Sequence, residues 1–153
     1  MLIHSTRFGE IEVPKDQLIS FANGLPGFPD ETQFAFLTLD EGSSFVFLQS
    51  ASNPDLTFVV VEPFMFFNDY TFELSDEYVE DLKLSQENKP RIFNIVTIRD
   101  TIEKATANLL APIIVNWQTK KAVQVILDKT PFTTRHKLFP NGLPQAQTAK
   151  GGK

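Results

Sequence analysis

Apolar and polar positions along this chain alternate mostly with a period of two, in short runs bounded by turn residues, and helical spacing is scarce. Residues 2–7 and 10–13 flank Gly9, which predicts a hairpin or tight bend with Ile11 and Val13 on one face. Residues 16–18 suit a helical turn. In Leu25-Pro26-Gly27-Phe28 the proline presets the first central dihedral and the glycine permits positive φ at the second. That is the chemistry of a type II turn, with Phe28 expected to plug the core. Strands are predicted over 33–39 and 45–50, joined by Asp40-Glu41-Gly42-Ser43-Ser44, and over 56–61, where Pro63 stops the run. Phe34 and Phe36 alternate with Ala35 and Leu37, so both faces of the 33–39 strand are apolar. Such a strand needs cover twice, from a second layer of the barrel and from a loop, helix or partner.

Residues 91–99 form a further alternating strand, with Ile92, Asn94, Val96 and Ile98 opposed to Phe93, Ile95 and Thr97. Residues 101–108 and 110–115 are expected to continue the sheet, and 122–127 to pair back after Lys120-Lys121 as a hairpin. Ile113, Ile114 and Val115 are β-branched and suit a strand buried on both faces, Pro112 marks an edge, a bulge or the strand's first residue, and Asn108 and Asn116 bracket the run as turn-forming amides. Residues 131–139 are expected to add a helical turn. Beyond Pro140 there is no apolar material to build a core. The pattern therefore predicts one domain over residues 1–140 and a flexible tail over 141–153. Its fold class is all-β dominated: a small antiparallel β-barrel-like domain with one or two short helices.

Composition sharpens this. Fifteen phenylalanines against two tyrosines and one tryptophan give an aromatic, strand-prone core, and 153 residues can bury it without staples. The absence of cysteine excludes a disulfide framework, thiolate zinc sites and cysteine nucleophiles. Residues 1–10 lack a basic stretch followed by an apolar one, and the run at 109–115 is too short to cross a bilayer. A soluble, cytoplasmic protein is expected.

Charge is distributed unevenly. Residues 1–100 carry seventeen acids and six bases, whereas residues 120–153 carry seven bases and one acid. Within 69–87, Asp69, Glu73, Asp76, Glu77, Glu80, Asp81 and Glu87 oppose a single Lys83. Such a field repels nucleic acid and attracts a basic protein, although a solvated helix face has the same composition. The basic residues Lys129, Arg135 and Lys137 are too sparse, and too poor in interleaved aromatics, for an RNA groove.

One segment carries more aromatic surface than a loop needs. In the run 64–72, Phe66, Tyr70 and Phe72 can serve the core, which leaves Phe64, Met65 and Phe67 to line an exposed groove; the plainer reading, which residue type favours, makes all of them core. Ser75 is placed as an N-cap, with Asp76 and Glu77 in the first turn of a short helix ending near Leu84. Tyr78, Val79 and Leu82 would bury one face of it, with Glu73, Glu77, Glu80 and Asp81 outward. The candidate partner-binding residues are thus Phe64, Met65 and Phe67 as apolar anchors and Glu73, Asp76, Glu77, Glu80 and Asp81 as an acidic rim.

Catalytic chemistry finds little support. His4 and His136 have no neighbouring ligand at metal-binding spacing, and no nucleophile elbow, phosphate loop or zinc-binding helix occurs, so no cofactor, metal or catalytic residue is assigned. The competing expectation is a small β-barrel enzyme of unknown activity using acidic residues. It requires a buried cluster of perturbed carboxylates in a pocket.

The chain resembles the FliW family of flagellar assembly factors at Phe8-Gly9-Glu10, at Phe21 with Gly24-Leu25-Pro26-Gly27-Phe28, and at Ala105-Thr106-Ala107-Asn108-Leu109-Leu110-Ala111-Pro112-Ile113-Ile114-Val115-Asn116 leading to Gln124-Val125-Ile126-Leu127. Val61-Glu62-Pro63-Phe64, followed by Tyr70 and the acidic helix, also looks like that family, and the likeness spans about residues 1–128. Trp117 stands where a more ordinary strand residue is expected. The resemblance implies a non-enzymatic regulator that partitions between two proteins: flagellin before export, and CsrA, a dimeric RNA-binding repressor of flagellin translation. It implies that the freed factor pulls CsrA off the flagellin message, acting away from the RNA surface. Two copies of this protein would bind each CsrA dimer. No direct contact with nucleic acid or membrane is expected.

Overall fold

A computed structural model describes residues 1–25, 27–38, 45–128 and 130–141 of the chain. Its strands are β1 (Leu2–Ser5), β2 (Gly9–Glu12), β3 (Ile19–Phe21), β4 (Gln33–Leu37), β5 (Phe45–Ser50), β6 (Thr57–Val61), β7 (Arg91–Thr97), β8 (Thr106–Ala107), β9 (Ile113–Asn116), β10 (Lys121–Gln124) and β11 (His136–Lys137). One α-helix, α1 (Asp76–Asp81), and 3-10 turns at Lys15–Gln17, Pro63–Met65 and Ile102–Lys104 complete the described elements. Strands β3, β4, β5, β6, β7, β9 and β10 close into a barrel. Every neighbouring pair in it is antiparallel except β10 and β3, which run parallel over Lys121–Ser20 and Ala122–Phe21. The closing seam between β3 and β10 spans two register pairs, as β3–β4 does, and differs from its neighbours in being parallel.

The two faces of the barrel wall read directly from the alternation. Phe34, Phe93, Ile113 and Val115 turn inward to the barrel core, while Ile92, Val96 and Ile114 turn outward beneath the 63–84 segment and residues 132–139. Each fully buried Phe or Ile there contributes roughly 1.5–3 kcal/mol from removal of apolar surface from water. On β4, Phe34 enters the barrel core and Ala35 packs with Ile3, Val13 and Leu18 beneath the β1–β2 hairpin. That hairpin is the second cover the two-faced strand required. A buried Gln49 on β5 fastens it: Ser5 Oγ donates to Gln49 Oε1 at 2.8 Å, and the Gln49 amide donates to the Ser50 carbonyl at 3.1 Å.

Several expected elements differ. The motif at 106–116 is two strands with an excursion between them, because β8 ends at Ala107 and β9 starts only at Ile113. Side chains hold the excursion. Asn94 Nδ2 donates to the Asn108 carbonyl at 2.8 Å, the Tyr70 hydroxyl donates to the Leu109 carbonyl at 2.6 Å, and Asn108 Oδ1 accepts from the Ala111 N–H at 3.0 Å. Pro112 immediately precedes β9. Both bracketing asparagines thus fix local backbone, and Asn116 is wholly buried. Residues 131–139 hold no helix; His136 and Lys137 pair with Ala107 and Thr106, since the open edge of β8 offers backbone partners that an isolated turn lacks. Phe28 does not plug the core. It is 38% exposed and rests edge-on against Phe58. The 25–28 turn closes through a Phe28 N–H bond to the Leu25 carbonyl at 2.7 Å, with Gly27 at φ +86°. Pro26, the 39–44 connection, Lys129 and the 142–153 tail lie outside the described residues.

Trp117 is a packing element. Its ring lies 5.4 Å from Phe36, with the Arg91 guanidinium 4.4 Å and the Lys120 ammonium 3.8 Å from its centroid. Arg91 also pairs with Glu62. Strand β7 and the β9–β10 turn are thereby joined across an aromatic face.

Candidate functional site

The 63–84 segment crosses the outside of the barrel, and Tyr70 anchors it. Tyr70 is 4% exposed, and its hydroxyl both donates to Leu109 and accepts from Asn94 Nδ2 at 3.3 Å. Burial pushes the Tyr70 pKa up to about 12. The aromatic residues on either side of this anchor have different fates. Phe66 and Phe72 are half-buried against the outer core, whereas Phe64 and Met65, on the turn begun by Pro63, are 48% and 63% exposed.

Phe64 lines a groove of about 420 Å³ with Tyr70, Phe72, Leu74, Val79 and Ile92, and Glu73 stands at the same groove. Phe67 does not share it. It is half-buried, 6.0 Å from the His136 ring, in a separate recess of about 340 Å³ with Asp69 and Phe132. His136 itself accepts the Thr133 N–H at 2.9 Å through Nε2. The structure therefore brings Phe64 and Glu73 together and places Phe67 apart, with Tyr70 common to both recesses.

Helix α1 is shorter than expected, ending at Asp81. Lys83 adopts φ +56°, which lets its N–H reach the Glu80 carbonyl at 3.1 Å and the Leu84 N–H reach the Val79 carbonyl at 2.9 Å. This is a Schellman termination with lysine at the left-handed position. Ser75 occupies the N-cap position without a side-chain cap bond. Glu73, Asp76, Glu77, Glu80 and Asp81 are all exposed, while Tyr78 and Val79 are half-buried and Leu82 is buried. Asn116 Nδ2 donates to the Leu82 carbonyl at 2.6 Å, so the 106–116 motif holds the acid-bearing helix to the barrel.

Asp81 faces a different opening from Glu73. With Tyr78 and Leu82 it lines a cleft of about 660 Å³ whose other walls are the 22–29 turn and β10, including Leu25, Lys121 and Gln124. Sequence reasoning missed this cleft. No residue pattern signals it, because its walls come from the 22–29 region, α1 and β10, which meet only in the folded chain; just beyond β10, Ile126 sits between the buried Val125 and Leu127. Ile126 is 69% exposed.

As to acid chemistry, Glu31 has a displaced pKa, and the displacement is downward, caused by hydrogen bonds from Ser50 and Ser52. A general acid requires the opposite direction. The acids of α1 are all exposed, and Asp81 among them lines the cleft of about 660 Å³.

Comparison with known proteins bears on this architecture. The family model described as FliW protein matches residues 2–138. A flagellar assembly factor FliW from Desulfitobacterium hafniense is 50% identical over 153 residues, covering 100% of both chains. The Bacillus subtilis flagellar assembly factor FliW is 43% identical over 136 residues, 89% of this chain and 95% of the relative. A crystal structure of the flagellar assembly factor FliW superposes with a TM-score of 0.86 at 37% identity, over 94% of this chain and 100% of that one. Matched along nearly its whole length in sequence and in fold, the chain belongs to the FliW family.

Proposed function

We propose that this protein is a cytoplasmic, non-catalytic flagellar assembly factor that couples flagellin synthesis to export by exchanging two partners. One partner is flagellin; the other is the translational repressor CsrA, whose hold on the flagellin message it antagonises. The single observation that carries the reading is Phe64, 48% exposed on a structured turn, in an apolar groove with Glu73 at the same opening. Large exposed apolar side chains beside charge are the anatomy of a protein-docking surface. The names of the relatives support the assembly role.

Physically, an RNA-binding repressor is basic where it holds phosphate. An acidic protein docked beside that surface lowers its affinity for RNA without covering it, over a range set by the screening length. Asp76, Glu77, Glu80 and Asp81 on α1, with Glu73 before it, supply that field. Because CsrA is a two-fold dimer, two copies of this protein dock per dimer. Phe64, Met65 and Phe67 supply apolar anchors for an amphipathic segment of flagellin.

The test is a Phe64→Ala, Phe67→Ala double variant, verified as folded by circular dichroism, in pull-downs with purified CsrA and purified flagellin. Loss of one true anchor weakens binding by roughly 2 kcal/mol or more. Unchanged binding of both partners by the folded variant places the docking surface elsewhere.

A further inference from the structure

The closing seam of the barrel leaves part of a strand edge unpaired. The Val125 N–H bonds to the Pro112 carbonyl at 2.9 Å and the Leu127 N–H to the Leu110 carbonyl at 2.8 Å, so the odd-numbered residues of this stretch pair towards β9. The even-numbered backbone groups consequently point the other way. At the start of β10 they meet β3, where the Ser20 N–H bonds to the Lys120 carbonyl at 2.8 Å and the register ends at Ala122 opposite Phe21. The chain then leaves this register into the 22–29 turn. Among the described residues no backbone bond reaches the N–H of Gln124 or of Ile126 from that side.

Three features coincide at this edge. The cleft of about 660 Å³ reaches it at Gln124, with Leu25, Tyr78 and Leu82 as apolar lining, and Ile126 lies two residues beyond that lining. Gln124 Nε2 donates to the Ala111 carbonyl at 3.0 Å, which leaves Gln124 Oε1 buried without a donor. Asp81 and Lys121 both line the cleft, and among the described residues neither has an ion-pair partner. Open edges are normally covered, twisted away or charged, and here Ile126 stands 69% exposed beside one.

We propose that this cleft takes an extended segment of flagellin as an added strand along the Gln124 to Ile126 edge. The inference rests on the reading that flagellin is a partner. Backbone groups of the segment complete the ladder, one of its N–H groups satisfies Gln124 Oε1, an apolar side chain enters between Leu25 and Leu82, and flanking charges of both signs meet Asp81 and Lys121. A lining with one acid and one base selects a segment of balanced charge. It does not suit the basic surface of an RNA-binding repressor.

The test uses the full chain and purified flagellin. Ile126→Pro removes an N–H that makes no bond within the described fold, and Ile126→Ala keeps that N–H while trimming the side chain. Strand addition predicts that the proline variant loses flagellin affinity about tenfold or more and the alanine variant loses less, while both retain CsrA. Amide exchange on the wild-type complex supplies a readout that needs no variant, with the Gln124 and Ile126 amides slowed at least about tenfold by flagellin. If wild-type protein binds flagellin with neither amide slowed, or the folded proline variant binds as tightly as wild type, strand addition is wrong and the partner reading stands. If wild-type protein does not bind flagellin at all, the partner reading fails and this inference with it.

Discussion

Asn116, at the end of β9, donates through Nδ2 to the carbonyl of Leu82, at the end of α1, at 2.6 Å. The same side chain accepts from the N–H groups of Gln118 at 3.0 Å and Thr119 at 3.2 Å, so one buried amide shapes the β9–β10 turn and fixes the acid-bearing helix. Asn116→Ala strands all of these groups and is expected to cost about 2–4 kcal/mol in urea unfolding. Asn116→Asp keeps the acceptor but sets a carboxylate against the Leu82 carbonyl. It should be no better than alanine. A loss below about 0.5 kcal/mol in both variants would mean the amide is dispensable.

Tyr70 makes a pH-dependent contribution. Burial raises its folded pKa to about 12 from the ordinary tyrosine value of about 10. The unfolded chain then releases the proton first, so this contribution is complete below about pH 10 and is lost as pH rises through about 12, by something of the order of 2–3 kcal/mol. Tyr70→Phe removes the titration along with the bond to Leu109. The stability advantage of wild type over Tyr70→Phe, followed by chemical denaturation, should shrink steadily across that alkaline range. A constant gap would contradict it.

Gly24 and Gly27 share a turn and a positive φ, at +66° and +86°, but not their surroundings. A Cβ at Gly24 would fall 2.7 Å from the Cα of Pro29, against backbone, whereas one at Gly27 meets nothing within 4 Å. Gly27→Ala is expected to cost about 1 kcal/mol for the left-handed backbone alone. Gly24→Ala should cost clearly more, with a lower thermal midpoint, because the turn itself must move.

Lys83 is the reverse case. A lysine at φ +56° terminates α1 where glycine is usual. Lys83→Gly should stabilise the protein by roughly 0.5–1 kcal/mol, read as a raised denaturation midpoint with an unchanged slope. Destabilisation would show that the lysine side chain contributes something its exposure does not suggest.

Much of this architecture is legible in the residues. The hairpin around Gly9, the strands at 45–50, 57–61 and 91–97, and the two-faced strand with Phe34 and Ala35 follow from a period of two and from turn chemistry, whereas the exposure of Phe64 and Met65 does not, since apolar residue types alone favour core. The break at 108–112 does not, because Leu109, Leu110 and Ala111 are as apolar as the strand beyond them. Tyr70 and Asn94, distant in sequence, supply the bonds that bend the chain there. Pairing of 136–137 with β8 likewise depends on an edge that exists only once the barrel has closed. Adjacency in sequence groups the candidate residues. Phe64 and Glu73 do meet, but Phe67 turns into its own recess and Asp81 to the seam, since the 63–84 segment wraps around Tyr70 rather than presenting one face.

On the proposed function, this barrel is a docking body whose two partners exclude each other. Isothermal titration of CsrA into the protein alone, and into the protein saturated with flagellin, tests it most directly. The account predicts saturable heat with two copies of this protein per CsrA dimer in the first titration and little or none in the second. Equal heats in both, or no binding of CsrA by the folded protein, would contradict it.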